Sequence, residues 1–290
     1  LGPAPTIAPP VARRRSLRSQ APFLFVHVAL AAYSLLALFP VLLVSLNSLK
    51  SRSAIFSTPY TPPTPSTFDA IGYQTVAQNS NFPIYFLNSF VTTLSTVGLV
   101  LFLASLAAFA LATYEFRGNT ILALFLTMGI MVPIRLGTVS LLRIMVGLGL
   151  QDSIVSLIVI YTAQGLPLAI FVLNQFMRQV PSELKDAARI DGASEYRIYR
   201  LVLPLVRPAL GTVAVFTMVP VWNDLWFPLI LLASDRSKTV ILGTQVFLGQ
   251  FVNDWNAVLA ALTLAMIPVV VLTIVFSRQI VRGLTTGAVK

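Results

Sequence analysis

The sequence predicts an all-α, polytopic membrane protein with six transmembrane helices, and three observations carry that prediction. Of its 290 residues 56% are hydrophobic and only 10% charged, against about 25% charged in soluble domains. The apolar residues gather in six long segments, about 22–46, 84–113, 119–140, 153–177, 205–232 and 257–277, each of the order of the 20 residues a spanning helix needs. The basic residues, finally, fall mostly in the loops on one side of those segments, as membrane topology requires.

Residues 1–21 are rich in Pro and Ala and then basic (Arg13, Arg14, Arg15, Arg18), which reads as a flexible cytoplasmic tail. The run 22–48 is too long for the apolar region of a signal peptide and ends in no small-x-small cleavage site, so it is expected as an uncleaved first span. Residues 49–83, with Pro59, Pro62, Pro63 and Pro65 among Thr and Ser, are expected as an extended, non-helical extracytoplasmic connector. Residues 84–283 then form a five-helix core, and 284–290 a second cytoplasmic tail. Small residues recur in the second span (Ala104, Ser105, Ala107, Ala108, Ala110, Ala112), where they let helix backbones approach closely. Pro133, Pro167, Pro220 and Pro228 lie inside spans and predict kinks.

Counting Lys and Arg sets the orientation. With the N-terminus cytoplasmic, the inner side holds Arg13, Arg14, Arg15, Arg18, Arg117, Arg178, Lys185, Arg189, Arg197, Arg200, Arg207, Arg278, Arg282 and Lys290. The outer side holds Lys50, Arg52, Arg236 and Lys238, with Arg135 and Arg143 near it. Fourteen against six places both termini in the cytoplasm. His27 alone cannot build a histidine metal site, and the absence of Cys removes disulfides and thiolate chemistry.

The longest charge-dense stretch, residues 181–204, lies between the fourth and fifth segments on the inner side. It reads as two short helices meeting at a bend. Ser182 is the expected N-cap of the first, with Glu183 in its first turn and Leu184, Ala187 and Ala188 on one apolar face. Gly192 ends that helix, Ser194 caps a second along which Tyr196, Tyr199 and Leu203 stack, and Pro204 opens the next segment. Its residues Asp186-Ala187-Ala188, then Gly192, then Leu203-Pro204 resemble the EAA loop of ABC importer permeases, with Asp186 where Glu is usual and Val202 where Ile is usual. The longer run from Glu183 to Ala193 resembles the carbohydrate-uptake, maltose-type branch. So do Asn88-Ser89, the run Ala107–Gly118, Trp222-Asn-Asp-Leu-Trp-Phe-Pro228 and the tail Gly283–Lys290; the resemblance is to the six-span subunit of that family.

The resemblance implies one half of a binding-protein-dependent sugar importer in a bacterial or archaeal cytoplasmic membrane. Its partners would be a second permease subunit, an ABC ATPase dimer and an extracytoplasmic solute-binding protein, with ATP and Mg held by the ATPase and no cofactor in this chain. Glu183, Asp186, Ala187, Ala188, Gly192, Leu203 and Pro204 would couple the chain to the ATPase. The cargo would be an oligosaccharide, an amino sugar or a related polyol, moved by alternating access.

Apart from the resemblance, the chain has no Gly-x-x-x-x-Gly-Lys-[Ser/Thr] loop for ATP, no zinc spacing and no pair of carboxylates within a span, so no catalytic residue is expected. The distribution of its charge, +10 in all, follows topology rather than a nucleic-acid surface. Asp224 is the one carboxylate well inside a span. Burying a charge there costs about 2.5–3.5 kcal/mol, so it should face a partner or a water-filled cavity; lining of the pathway, structural pairing and placement at the outer interface all stand. With Trp222, Asn223 and Trp226 it combines hydrogen-bonding groups and aromatic faces as sugar sites do, and Asn88 and Arg135 join them as candidates for a substrate pathway. Snorkelling to outer headgroups also accounts for Arg135 and Arg143. The alternative function is an ATP-independent secondary transporter or channel, which would show charge relays or paired broken helices.

The topology is testable because the chain lacks Cys. Cysteines at Ser16, Ser194 and Thr286 are expected to react only with membrane-permeant maleimides, and one at Thr64 with an impermeant reagent added outside. Labelling of position 194 from outside would reverse the orientation.

Overall fold

A computed structural model describes residues 17–78, 81–248 and 253–286. The basic residues Arg13, Arg14 and Arg15, with Ser16 and the tail from 287 to Lys290, lie outside them. The described chain is all-α: α1 (Leu17–Asn47), α2 (Arg52–Ser57), α3 (Ile71–Gln78), α4 (Phe82–Thr113), α5 (Asn119–Met128), α6 (Thr138–Gly147), α7 (Ile154–Arg178), α8 (Ser182–Ile190), α9 (Glu195–Val202), α10 (Arg207–Asn223), α11 (Trp226–Leu231), α12 (Val240–Thr244) and α13 (Trp255–Thr286). Five stretches of helix are long and apolar enough to cross a membrane. The pair around α5 and α6, bent by 79°, makes up to six.

The bundle is built on α4, α7 and α10, with α4 and α7 packed along their length. Val100, Ala104 and Ala108 of α4 repeat every four residues and are fully buried, so the small-residue stripe of the second span does bring backbones together. They meet Ala169, Leu173 and Met177 of α7 and Ala209 and Val213 of α10. Gly165 of α7 lies so close to α4 that a Cβ there would stand 2.9 Å from Val100 Cγ2. Helix α1 differs, since its most apolar stretch buries no residue within the chain and only its C-terminal end, around Asn47, packs down.

The third apolar segment, expected as one span, is broken. Pro133 lacks an N–H and disfavours helical backbone at the residue before it; Val132 is accordingly extended (φ −75°, ψ 115°), and the helix resumes on a new axis. Pro167 and Pro220, by contrast, stay inside α7 and α10. The fifth segment also breaks, at Asp224, where the backbone turns extended (φ −73°, ψ 131°).

The connector after α1 is not extended throughout as expected, because it carries α2 and α3. Both lie outside the proline cluster and bury apolar residues, Ala54 and Ile55 in α2 and Val76 in α3. Tertiary contact with the start of α13 supplies the stability that so short a helix lacks alone. Lys50 ties this region together. It is fully buried, and its Nζ donates to Asn47 Oδ1 at 3.1 Å and to the Thr58 carbonyl at 2.7 Å. Asn256 Nδ2 in turn donates to the Lys50 carbonyl at 2.7 Å. Burial lowers the pKa of this ammonium, while the nearby C-terminus of α1 favours its charge.

Contact of α3 with α13 is tight enough to be tested at one glycine. A Cβ on Gly72 would collide with the Asn256 carbonyl oxygen, so Gly72→Ala has to push α3 off α13. Overpacking of this kind costs about 1–3 kcal/mol. Thermal unfolding in detergent should show a lowered midpoint, and an unchanged midpoint would mean that the connector does not dock there.

Candidate functional site

Two constellations stand out, one among the spans and one in the charged loop. The first forms where two helices break. At the end of α10 the Asp224 carboxylate accepts the N–H of Phe227 at 3.1 Å and that of Trp226 at 3.4 Å, pairing donors of the first turn of α11. It also accepts the Tyr161 hydroxyl at 2.8 Å and pairs with Arg135 Nη2 at 3.4 Å. The Asp224 side chain is 9% exposed and that of Arg135 68%. Arg135, which follows the Pro133 break, thus reaches a carboxylate and not lipid headgroups alone.

Beside this pair lies a cavity of about 250 Å³. Arg135, Tyr161, Gln164, Thr217 and Asp224 give it polar groups, and Leu168, Val172, Val213, Phe216 and Phe227 give it apolar walls. A mainly apolar hollow with a few convergent polar groups is the usual character of a small-molecule site. Asp224 is paired and also lines the cavity. Tyr161 and Gln164 were not among the residues expected from sequence. Their signal is their spacing, three apart on one face of an otherwise apolar run.

The remaining candidates are placed differently. Trp222 is buried, stacks edge-on to Phe90 and donates from Nε1 to the Ala265 carbonyl at 3.0 Å. Asn88 Nδ2 donates to the carbonyls of Arg236 and Lys238 at 2.8 and 2.9 Å, holding a loop. Asn223 Nδ2 returns to the Val219 carbonyl of its own helix. Trp226 is 45% exposed, and its Nε1 donates to Thr138 Oγ1 at 3.0 Å, near the Arg135 backbone that Thr138 also bonds. Only Arg135 and Asp224 of the expected pathway residues line the cavity.

In the charged loop α8 and α9 meet at Gly192, whose φ of +76° suits a residue without Cβ. The N–H of Ala193 bonds the Ala188 carbonyl at 2.9 Å and that of Gly192 the Arg189 carbonyl at 3.0 Å, closing the helix end. Two local details differ from expectation. Pro181, extended and rigid, takes the N-cap position, so Ser182 is the first helical residue. The Tyr196 and Tyr199 rings do stack, with centroids 6.4 Å apart, but the buried stripe of α9 is Ile198, Tyr199 and Val202, because these face α4; Tyr196 is exposed with the Arg200 guanidinium 4.5 Å from its ring centre. Ser194 does hold the N-cap position of α9, accepting through its carbonyl from Arg197 and Ile198.

A charged clasp spans the bend. Arg189 donates from Nη1 to Asp186 Oδ1 at 2.9 Å and from Nε to Glu195 Oε1 at 3.0 Å. Tyr114, just past α4, donates its hydroxyl to Glu195 Oε2 at 2.8 Å. The Arg189 bonds, and then that of Tyr114, hold the Glu195 carboxyl below its usual range. Deeper down, Tyr199 Oη and Ser105 Oγ share a buried hydrogen bond of 2.8 Å, which ties the pair of helices to α4. On the opposite face Glu183, Leu184, Asp186, Ala187 and Gly192 are exposed, as are Ile190 and Pro204, while Ala188 and Leu203 are half-buried. Among the described residues no three His, Cys, Asp or Glu converge to hold a metal.

The clasp gives a pH dependence. A carboxyl with a depressed folded pKa contributes stability that is fully present above its ordinary pKa, 4.5 for Glu195, and is lost as pH falls through the lower folded value. Spin labels on α8 and α9 should show one narrow distance at neutral pH, broadening once the pH drops below that range. Glu195→Gln should show the broad distribution at neutral pH; a distance unmoved by either change would mean that packing alone holds the bend.

Comparison with known proteins agrees with this architecture. The chain matches the family described as binding-protein-dependent transport system inner membrane component over residues 86–286. It is 34% identical over 266 residues to a putative ABC transporter permease protein of Caldicellulosiruptor sp., covering 91% of this chain and 95% of that one. To the trehalose transport system permease protein of Mycobacterium tuberculosis it is 35% identical over 260 residues, with 88% and 93% covered. To the arabinooligosaccharides transport system permease protein of Bacillus subtilis it is 31% identical over 282 residues, with 94% and 99% covered. The fold superposes with a TM-score of 0.77, at 21% identity and over 93% of this chain and 99% of the other, on a chain of a bacterial ABC transporter involved in the import of the acidic polysaccharide alginate. The chain therefore belongs to the family of binding-protein-dependent transport system inner membrane components.

Proposed function

We propose that this chain is the permease subunit of an ATP-driven importer for a carbohydrate, an oligosaccharide, amino sugar or related polyol. The observation that carries the proposal is the clasped pair α8–α9. It is short, bent and tied to α4, and it presents exposed apolar residues between charges, with Ile190 87% exposed. That surface suits a cleft on a separate ATPase, which would bind ATP and Mg. Leu184, Ala187 and Ile190 would fill the cleft, Glu183 and Asp186 would set its register, and Gly192 would keep the bend. Force on α8 would pass through the Arg189 clasp and the Tyr199–Ser105 bond into α4, and from α4 into α7, which it packs along.

Among the spans, Asp224, Gln164 and Tyr161 would accept and donate bonds to sugar hydroxyls while Phe216 and Phe227 cover ring faces. The cavity is smaller than the roughly 300–1,000 Å³ of a complete pocket, which suits a site shared with a second permease. Helix α1, exposed along most of its length, offers apolar surface to that subunit or to lipid. The sugar class rests on the named cargo of relatives, trehalose and arabinooligosaccharides among them. We place the chain in a bacterial or archaeal cytoplasmic membrane with both termini inside, receiving its cargo from an extracytoplasmic binding protein and alternating between outward and inward access.

The test is coupling. In the assembled transporter Ile190→Asp and Asp186→Lys should insert normally yet cut binding-protein-stimulated ATP hydrolysis and sugar uptake by tenfold or more, as loss of a desolvated contact of about 2–5 kcal/mol implies. Gly192→Val, which strains a left-handed backbone, should leave hydrolysis running while uptake falls. Normal uptake by Ile190→Asp and Asp186→Lys would refute docking through this loop, and uptake without any ATPase would favour a secondary transporter.

A further inference from the structure

Behind the clasp lies a second cavity, of about 570 Å³, between the turn that joins α4 to α5 and the inner face of α8. Its lining holds an unusual cation. Lys185 is only 6% exposed, although it belongs to a helix whose other residues are exposed or half-buried, and it makes no hydrogen bond or ion pair among the described residues. Its stem is packed away while the residue lines the cavity, so the ammonium stands there without a partner among the described residues and is available to something that is not part of the chain.

Three further features turn the cavity toward one chemistry. Arg178 uses Nε on Asn174 Oδ1 and Nη2 on the Leu111 carbonyl, which leaves Nη1 without a partner among the described residues. Ser182 brings the first turn of α8 into the lining, with no side chain capping its N–H groups, at the positive end of the helix dipole. Asn119 donates to the carbonyls of Leu111 and Tyr114, but its buried Oδ1 accepts from no described residue. Of the acidic residues in the lining, Asp186 is engaged by Arg189 and Glu115 is exposed. The negative end of α4 explains why Arg178 and Asn119 gather there, since both bond Leu111. Lys185 makes no such bond.

We propose that this cavity binds a phosphate ester bearing a free hydroxyl, with Lys185 and Arg178 on the phosphate and the hydroxyl donating to Asn119 Oδ1. Two sources share that chemistry: a phosphatidylglycerol headgroup in the adjoining leaflet, and a soluble glycerol or sugar phosphate. Bound there, the ligand would brace α8 against α4 from the side opposite its exposed face. The site is independent of transport, so its failure would leave the importer reading untouched.

The test uses the full chain in vesicles of phosphatidylcholine, with and without phosphatidylglycerol, and in phosphatidylcholine with added sn-glycerol 3-phosphate. We expect phosphatidylglycerol or the soluble ester to raise the thermal midpoint by about 2–4 °C or more, the responding arm naming the source. Lys185→Met should abolish the rise and weaken binding about tenfold or more, as loss of a charge-assisted bond implies. Lys185→Arg should retain it, and so should Arg197→Met, which removes an exposed cation of the same loop outside the cavity. In phosphatidylcholine alone Lys185→Met should be at least as stable as the parent, since it removes an unpaired charge. A lower midpoint there would make Lys185 a structural cation and overturn the site. No rise with either ester, a rise that survives Lys185→Met, or equal loss in Arg197→Met would overturn it as well.

Discussion

A chain in hydrocarbon has to pair its own backbone N–H and C=O groups, and the rest of this structure depends on where that rule is met indirectly. Along α4 and α7 the helices pair themselves and can pack as plain cylinders. At Val132–Pro133 and at Asp224 they stop inside apolar segments, and polar side chains take over. The Asp224 carboxylate accepts the freed N–H groups of α11, and its charge then draws in Tyr161 and Arg135. The few polar groups of an otherwise apolar cavity among the spans thus follow from two backbone breaks and the groups that satisfy them. The bend of 79° and the ion pair are two consequences of one requirement.

At the other end of the bundle the constraint is mechanical. Helices as short as α8 and α9 are marginal in isolation, and they hold a single shape because Gly192 allows the turn and Arg189 ties both sides of it. Exposed ion pairs are worth little singly, about 0–1 kcal/mol. Here one guanidinium meets two carboxylates and Tyr114 meets one of them, so the network fixes geometry more than it adds stability. The buried stripe Ile198, Tyr199 and Val202 then anchors the pair to α4. An element that is rigid, bent and joined to the central helices can carry displacement between its own exposed face and the spans.

Small residues set how that displacement would travel. Val100, Ala104 and Ala108 let α4 and α7 approach closely with little side chain between them. Close backbone packing leaves few ways for one helix to move without the other. Helix α1, which shares almost none of this packing, stands as a separate apolar surface.

The all-α class, the spans and the loop 181–204 were legible in the sequence, because each rests on local physics: apolar length, charge asymmetry, and the breaker and small residues at fixed spacing. Gly192 could be read as a bend since only glycine takes that backbone without strain. The site was legible in half. Asp224 stood out as a lone carboxylate in an apolar run, but whether it was paired or lined a pathway depends on which helices lie beside it. Tyr161 and Arg135, 63 and 89 residues away, became its partners only through the packing of α7 and the break at Pro133. Trp222 and Asn88 carried the same local promise and were turned by tertiary contacts toward Ala265 and the loop at 236–238. The helices of the connector and the burial of Lys50 and Lys185 were likewise decided by neighbours distant in sequence. Local composition determines what each segment can form, and packing between segments decides which side chains meet.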